Sequence, residues 1–142
     1  MVKNFIAMPL LLKLLTAASF VVPIFCAASL FPHDSIDVFG QQMTASEWWL
    51  SGAGLITLVA SFVMLAAAFL MLRRSPYGRP TYILGGLVIS LSAPFISILT
   101  GIGFQAEVPS LISDLVVTAF IGLYLYRSSA VRNYFATETG LD

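Results

Sequence analysis

Charge and metal-binding side chains are scarce in this chain. It has one cysteine, Cys26, and one histidine, His33, among 142 residues, so an intrachain disulfide and a cysteine-based metal site are both excluded. Only 10% of the residues are charged whereas 58% are hydrophobic, which leaves too little polar surface to cover a soluble domain. The composition therefore predicts an integral membrane protein.

The sequence also lacks the short motifs that mark common enzyme sites. It contains no nucleophile elbow, no P-loop, no Cys-x-x-Cys pair and no His-Glu-x-x-His motif. Its net charge is zero and hides a dipolar layout, basic on one face and acidic on the other, and this layout gives no case for nucleic-acid binding. We therefore expect no cofactor and no nucleic-acid partner, and we do not expect an enzyme.

Four apolar runs divide the chain, and each has about the ~20 residues that cross a ~30 Å hydrocarbon core. They cover residues 14–31, 50–72, 81–101 and 108–126. The pattern predicts an all-α integral membrane protein whose four transmembrane helices form one compact bundle in a single domain, 1–142. A chain of this length leaves no room for a separate soluble catalytic domain.

The charged residues predict how this bundle is oriented. All basic residues fall on one side of the four runs: Lys3, Lys13, Arg73, Arg74, Arg79, Arg127 and Arg132. The positive-inside rule therefore places both termini in the cytoplasm. Short loops, the strict charge bias and the lack of N-glycosylation sequons favour a bacterial inner membrane.

The first apolar run has a second interpretation, as a secretory signal peptide. Lys3, the run itself and the small residues at 26–29 resemble such a signal. We favour a retained anchor, because the run after Lys13 extends to Phe31, which is longer than a usual signal core. The segment before it is expected either to lie along the inner interface or to extend the first helix.

The outer loop, residues 32–49, contains two local signals. Loose alternation over residues 35–43 predicts a short extended or hairpin-like segment. Thr44 is followed three residues later by Glu47, and this capping-box pattern predicts that the second helix begins there.

Aromatic residues near the ends of the runs are predicted to anchor the bundle at the two membrane interfaces. Trp48 and Trp49 lie at the outer end, where an indole keeps its ring among the lipid acyl chains and its N–H near water. The inner belt is formed by tyrosines: Tyr77, Tyr82, Tyr124, Tyr126 and Tyr134.

The outer face also collects residues of the kinds that bind divalent cations. These are His33, Asp34, Asp37, Glu47 and Glu107. The chain has no second histidine and no Asp-rich calcium loop, so we expect a solvated acidic surface and no metal site.

Asp114 is the one ionisable residue predicted to lie well inside a span. If the last helix begins near Val108, a rise of ~1.5 Å per residue places the carboxyl roughly 9 Å below the outer boundary. An aspartate at a helix centre costs ~2.5–3.5 kcal/mol, and less toward the edge, so a partner, a proton or a watery cavity is expected. Ser110, Thr118 and Gly122 recur with it every four residues, and this polar stripe is predicted to face neighbouring helices.

Other polar side chains are predicted at a similar depth on the remaining helices. These are Cys26, Thr57, Ser92 and Ser97. Pro94 frees the carbonyl of Ser90, so together with Asp114 the set has the parts of a proton or cation site. It equally has the parts of ordinary helix packing, in which Ser and Thr hydrogen bond between helices, and packing is the favoured interpretation.

Small residues predict close contacts between helices. Ala53, Thr57 and Ser61 follow a small-x-x-x-small rhythm, and Gly85 and Gly86 open the third run. Such faces pack within the molecule or bind another subunit. The favoured function is therefore a structural or accessory subunit that binds a membrane-protein partner or forms a homo-oligomer. The alternative is a small transporter or channel component that uses Asp114 as its proton or cation site.

Overall fold

A computed structural model describes residues 1–28, 36–38, 41–99 and 108–136, and helices make up most of this part of the chain. The elements in chain order are α1 (Val2–Ala7), α2 (Leu10–Ala28), β1 (Ile36–Val38), β2 (Gln41–Met43), α3 (Ala45–Leu50), α4 (Ala53–Leu72), α5 (Gly78–Leu99), α6 (Val108–Arg127) and α7 (Ser129–Ala136). The predicted outer-face residues His33, Asp34 and Glu107 lie outside the described residues, as do the side chains of Cys26 and Asp37.

Three helices are long and apolar enough to cross a membrane. They are α4 with 20 residues, α5 with 22 and α6 with 20. The predicted all-α fold is thus confirmed, and the second, third and fourth apolar runs form helices that could span a membrane. The first run corresponds to α2, a helix of 19 residues whose described side chains include an apolar stretch over Leu10–Val21.

The main helix contacts follow the chain order, with α2 against α4, α4 against α5 and α5 against α6. The apolar stretches of α4 and α5 are 33% and 35% buried, whereas that of α6 is only 6% buried. α6 is therefore a peripheral helix that presents one face to α5 and the rest of its surface to the surroundings.

Small residues allow α4 and α5 to approach closely. Ala53 and Ser61 on α4 are buried, and Thr57 between them is half-buried. On α5, a Cβ added at Gly85 would lie 2.6 Å from the Sδ atom of Met64 on α4. Close backbone approach through small side chains is a principal source of stability between membrane helices.

The largest core cluster lies at the basic end of the molecule, which is the end that carries the Lys and Arg residues. Leu12 of α2, Met71 of α4, Leu125 of α6 and Val131 of α7 are fully buried there. The side-chain amide of Asn4 also donates a hydrogen bond to the carbonyl of Leu72, at 2.9 Å. α1 and α7 thus close the basic end of the helix layer.

The predicted hairpin and capping box are both confirmed. β1 and β2 pair antiparallel, with Ile36 opposite Met43. The Thr44 hydroxyl accepts from the backbone N–H of Glu47, and the Glu47 carboxylate accepts from the backbone N–H of Thr44 at 2.8 Å. This backbone hydrogen bond, aided by the Thr44 hydroxyl, lowers the pKa of Glu47.

The second predicted helix does not run unbroken from this cap. α3 ends at Leu50, and Gly52 adopts a left-handed conformation with φ of 84° before α4 begins at Ala53. The turn brings the Trp49 ring onto Gly54, where an added Cβ would lie 2.5 Å from the ring. The chain therefore bends at a glycine so that an indole packs against the start of α4.

Candidate functional site

A partly open cleft of about 200 Å³ lies between α4, α5 and α6. Its walls are mostly apolar and include Met64, Ile89 and Val117. Four polar side chains line it, namely Tyr82, Ser90, Asp114 and Thr118. Asp114 is the only acidic group among them, so it determines the electrostatic character of the cleft.

Glycines set the distance between the two helices that form most of the cleft. A Cβ added at Gly86 on α5 would lie 3.1 Å from Cγ2 of Thr118, and one added at Gly122 would lie 3.4 Å from Cδ1 of Ile83. α5 and α6 therefore approach closely at these two levels. Asp114 lies one turn beyond Thr118 on the same face, and this spacing places its carboxylate in the cleft.

Most of the predicted polar stripe on α6 faces α5. Asp114, Thr118 and Gly122 are half-buried, whereas Ser110 at the start of the helix is exposed. The repeat of four residues thus marks the contact face of α6 over two turns.

Asp114 has no hydrogen-bond or ion-pair partner within the part of the chain that the structure describes. Arg127, the basic residue at the end of the same helix, is thirteen positions away. At 1.5 Å per residue this is roughly 20 Å along the axis. No cation of its own helix therefore neutralises the carboxylate.

The structure brings together only part of the predicted polar set. Asp114 and Thr118 share the cleft, but Thr57, Ser92 and Ser97 are not among the residues that line it. Thr57 donates to the carbonyl of Ala53 at 3.0 Å, and Ser92 donates to the carbonyl of Ile89 at 2.7 Å. Ser97 is fully buried. These three hydroxyls therefore do not share a site with Asp114.

Two side chains of the cleft are not predicted by the sequence pattern. Ser90 is predicted to contribute only its carbonyl, yet its hydroxyl lines the cleft and donates to the carbonyl of Gly86 at 2.9 Å. Tyr82 is predicted as an interface anchor, yet it is 6% exposed and belongs to the core cluster. Tyr82, Gly86 and Ser90 are spaced by four residues, and this repeat on α5 is the signal that could have found them.

The other predicted anchors occupy surface or half-buried positions. Tyr77 is 70% exposed and Tyr126 is 51% exposed at the basic end. Trp48 and Trp49 are half-buried at the opposite end. The Nε1 atom of Trp48 is buried, and it has no hydrogen-bond partner in the described ranges.

The donor set of the cleft is poorly suited to a hard metal ion. No group of three or more His, Cys, Asp or Glu side chains comes together among the described residues. Ca²⁺ takes six to eight oxygen ligands, whereas the cleft offers one carboxylate and a few hydroxyls. It is better suited to a proton, or to a single hydrogen-bond donor or cationic group carried on an apolar body.

Comparison with protein-family models, with curated proteins and with solved structures finds no match for this chain. Its function is therefore inferred from its own residues. The Asp114 cleft and the arginine-rich basic end are the two regions of the described chain whose chemistry supports an inference.

Proposed function

We propose that the chain is a non-catalytic subunit of a bacterial inner membrane, with α2, α4, α5 and α6 as four spans. Both termini lie on the cytoplasmic side in this proposal. Its support is the charge layout, because every Lys and Arg belongs to the basic end and none lies within the four apolar runs. Lipid surrounds the exposed apolar faces of the helices.

The proposed role is to bind a helix of another membrane protein in the Asp114 cleft. The observation that carries this proposal is an unpartnered carboxylate in a mostly apolar cleft on the peripheral helix. A carboxylate inside a membrane is unfavourable unless it gains a partner or a proton. A partner helix that carries a hydrogen-bond donor or a cation would supply the partner and would fill the apolar walls at the same time.

The charge layout favours a different protein over a second copy as the occupant. A second copy in the same orientation has all of its Lys and Arg at the basic end, far from the level of Asp114. At that level it would offer the carboxylate only uncharged hydroxyl and thiol groups. A foreign helix with a basic or amide side chain at this level is the better match.

Copurification tests this proposal. The tagged protein would be purified from its own host at natural abundance in mild detergent or native nanodiscs, and its complexes identified by mass spectrometry. We expect a stoichiometric foreign subunit, lost in Asp114→Ala and retained in Ser113→Ala. Ser113 is the matched control, because it is the adjacent residue of α6 but is exposed and does not line the cleft.

Two results would contradict the docking role. One is a wild-type protein that purifies only as a monomer or a homo-oligomer. The other is a foreign subunit that remains equally bound in Asp114→Ala.

A second candidate function is a proton or cation site in a small transporter or channel. The observation that favours it is that the hydroxyls of Thr118 and Ser90 line the same cleft as Asp114. Flux through liposomes that contain the purified protein would test it. This function requires that Asp114→Asn abolishes proton or cation flux while the amount of folded protein is unchanged, and equal flux in both proteins excludes it.

A further inference from the structure

A second cavity, of about 470 Å³ and wide open to the surroundings, lies at the basic end and is separate from the Asp114 cleft. Three segments form it: the turn between α1 and α2, the turn between α4 and α5, and one face of α7. Its wall includes Met8 from the first turn, Arg74 from the second turn and Tyr134 from α7.

Arg74 is held in this wall by its backbone and by an aromatic ring. Its φ of 54° is left-handed, and its backbone N–H donates to the carbonyl of Met71 at 3.0 Å. The guanidinium carbon lies 4.8 Å from the centre of the Tyr134 ring. The Tyr134 hydroxyl donates to the same Met71 carbonyl at 3.1 Å. The ring and the turn therefore fix the position of the guanidinium group together.

The guanidinium group has unused donors. The Nε atom of Arg74 is buried without a hydrogen-bond partner in the described part of the chain. The Nε atom of Arg79 is also buried without a hydrogen-bond partner among the described residues. Its guanidinium lies 4.3 Å from the centre of the Phe135 ring, which follows Tyr134 on α7. Among the described residues, the acidic side chains belong to the opposite half of the molecule. Two guanidinium groups that lack a carboxylate partner among the described residues therefore lie close to this cavity, and an external anion that reaches the accessible Nη groups of Arg74 would be stabilising.

We infer that this cavity binds the phosphate group of an anionic lipid, with Arg74 as the main contact. The two terminal Nη groups of an arginine can form two parallel hydrogen bonds to a phosphate, and a guanidinium favours this forked geometry. Stacking on Tyr134 engages the face of the guanidinium, and the Nη groups of Arg74, which are not among its buried atoms, are left for the phosphate. Arg79 adds positive charge nearby.

Exposed apolar residues beside the cavity indicate that the phosphate belongs to a lipid. Val2 is 75% exposed, Ile6 is 66% exposed and Leu10 is 74% exposed, and they flank the α1–α2 turn that lines the cavity. In a membrane these side chains would contact acyl chains while the phosphate sits against Arg74. The inference rests on the proposed membrane insertion but is independent of partner binding at Asp114.

Native mass spectrometry of the full-length protein in detergent would test the site. The protein would be titrated with phosphatidylglycerol and, in parallel, with phosphatidylcholine, and the bound lipids counted. We expect preferential binding of phosphatidylglycerol and a loss of affinity of about tenfold or more in Arg74→Gln. Arg73→Gln is the matched control, because Arg73 is the adjacent, exposed arginine and does not line the cavity, and its loss should stay below about twofold.

Two further measurements distinguish a shaped lipid site from general surface charge and from a site for free phosphate. Arg74→Lys keeps the charge without the planar fork, so its affinity for phosphatidylglycerol should fall several-fold. This variant tests the site if Arg74→Gln does not fold.

Equal losses of affinity in Arg73→Gln and Arg74→Gln would overturn the site in favour of general surface charge. Displacement of the lipid by millimolar inorganic phosphate would overturn the lipid as the source of the phosphate. An unchanged foreign subunit in Arg74→Gln would show that this site and the Asp114 cleft act separately.

Discussion

The proposed docking role depends on the Asp114 carboxylate. It lies on a mostly apolar surface, in the same cleft as Thr118 of its own helix face and close to α5. A carboxylate that lacks a partner is costly to bury in a membrane. A partner helix that supplies a donor or a cation would therefore stabilise the proposed complex.

Asp114→Asn is therefore expected to stabilise the isolated subunit. The change removes a carboxylate that lacks a partner in the described residues while it preserves the size of the side chain. A gain of about 1 kcal/mol would raise the thermal unfolding midpoint in detergent by roughly 2–4 °C. The same variant should bind the foreign subunit more weakly. A lower midpoint would mean that the carboxylate has a stabilising partner within the chain.

The capping box at Thr44 predicts a pH dependence of α3. Hydrogen bonds from the Thr44 backbone and hydroxyl lower the pKa of Glu47 from its usual value of 4.5. Because the folded pKa is lowered, the stabilisation is complete above the usual value and is lost as the pH falls through the folded value. Hydrogen exchange of the α3 amides, corrected for intrinsic rates, should show protection that declines below about pH 4.5.

Thr44→Ala is the control for this pH effect. It should increase α3 exchange about fivefold at neutral pH, because an N-cap hydroxyl is lost, and should only weaken the pH dependence, because the backbone N–H at position 44 still donates to the Glu47 carboxylate. Protection in the wild type that stays constant down to about pH 3 would contradict the role assigned to Glu47.

At the scale of the helices, the three long apolar helices α4, α5 and α6 could be predicted from the sequence, but rotation about the helix axes could not. Counting residues inward places Thr57 and Ser92 beside Asp114, whereas their hydroxyls bond to carbonyls of their own helices. A helix that is apolar on most sides carries little information about which face meets a neighbour. α6 is the exception, because its polar residues recur every four positions and mark the face toward α5.

The break at Gly52 was also not predictable from the sequence. Glycine is common within membrane helices, so a glycine near a helix start does not by itself indicate a left-handed turn. The packing of Trp49 against Gly54, which follows from that turn, is a tertiary contact that no local pattern encodes.

Glycines at two contacts of α5 are expected to differ in their tolerance of a methyl group. A Cβ at Gly78 would lie 3.0 Å from the backbone nitrogen of Met71, which cannot move without distorting the end of α4. A Cβ at Gly85 would meet the Sδ atom of Met64, and that flexible side chain can adjust. Gly78→Ala should therefore cost ~2–3 kcal/mol and Gly85→Ala nearer ~1 kcal/mol.

Thermal unfolding of the two glycine variants in the same detergent would rank them. Met64→Ala should cost less stability in the Gly85→Ala background than in the wild type, because the new methyl group fills part of the space that the Met64 side chain leaves. The reverse order of the two glycine variants would show that the α4–α5 turn has more freedom than its contacts indicate.

At the scale of the whole molecule, packing is uneven between the two ends. α1 and α7 cover the basic end, where Leu12, Met71 and Val131 are fully buried. Beyond that end α6 meets mainly α5 and leaves the cleft partly open. The basic end thus holds the helices together through its buried core, while the peripheral helix α6 provides the surface that we propose for partner binding.

The most direct test of this docking role is photocrosslinking in living cells with a reactive amino acid at position 117 or at position 116. Val117 lines the cleft and Val116 does not, although both are exposed on α6. We predict a crosslink from position 117 to one foreign membrane protein, absent from position 116 and lost when Asp114→Ala is added. Identical crosslinks from both positions, or no protein crosslink from position 117, would contradict the proposal.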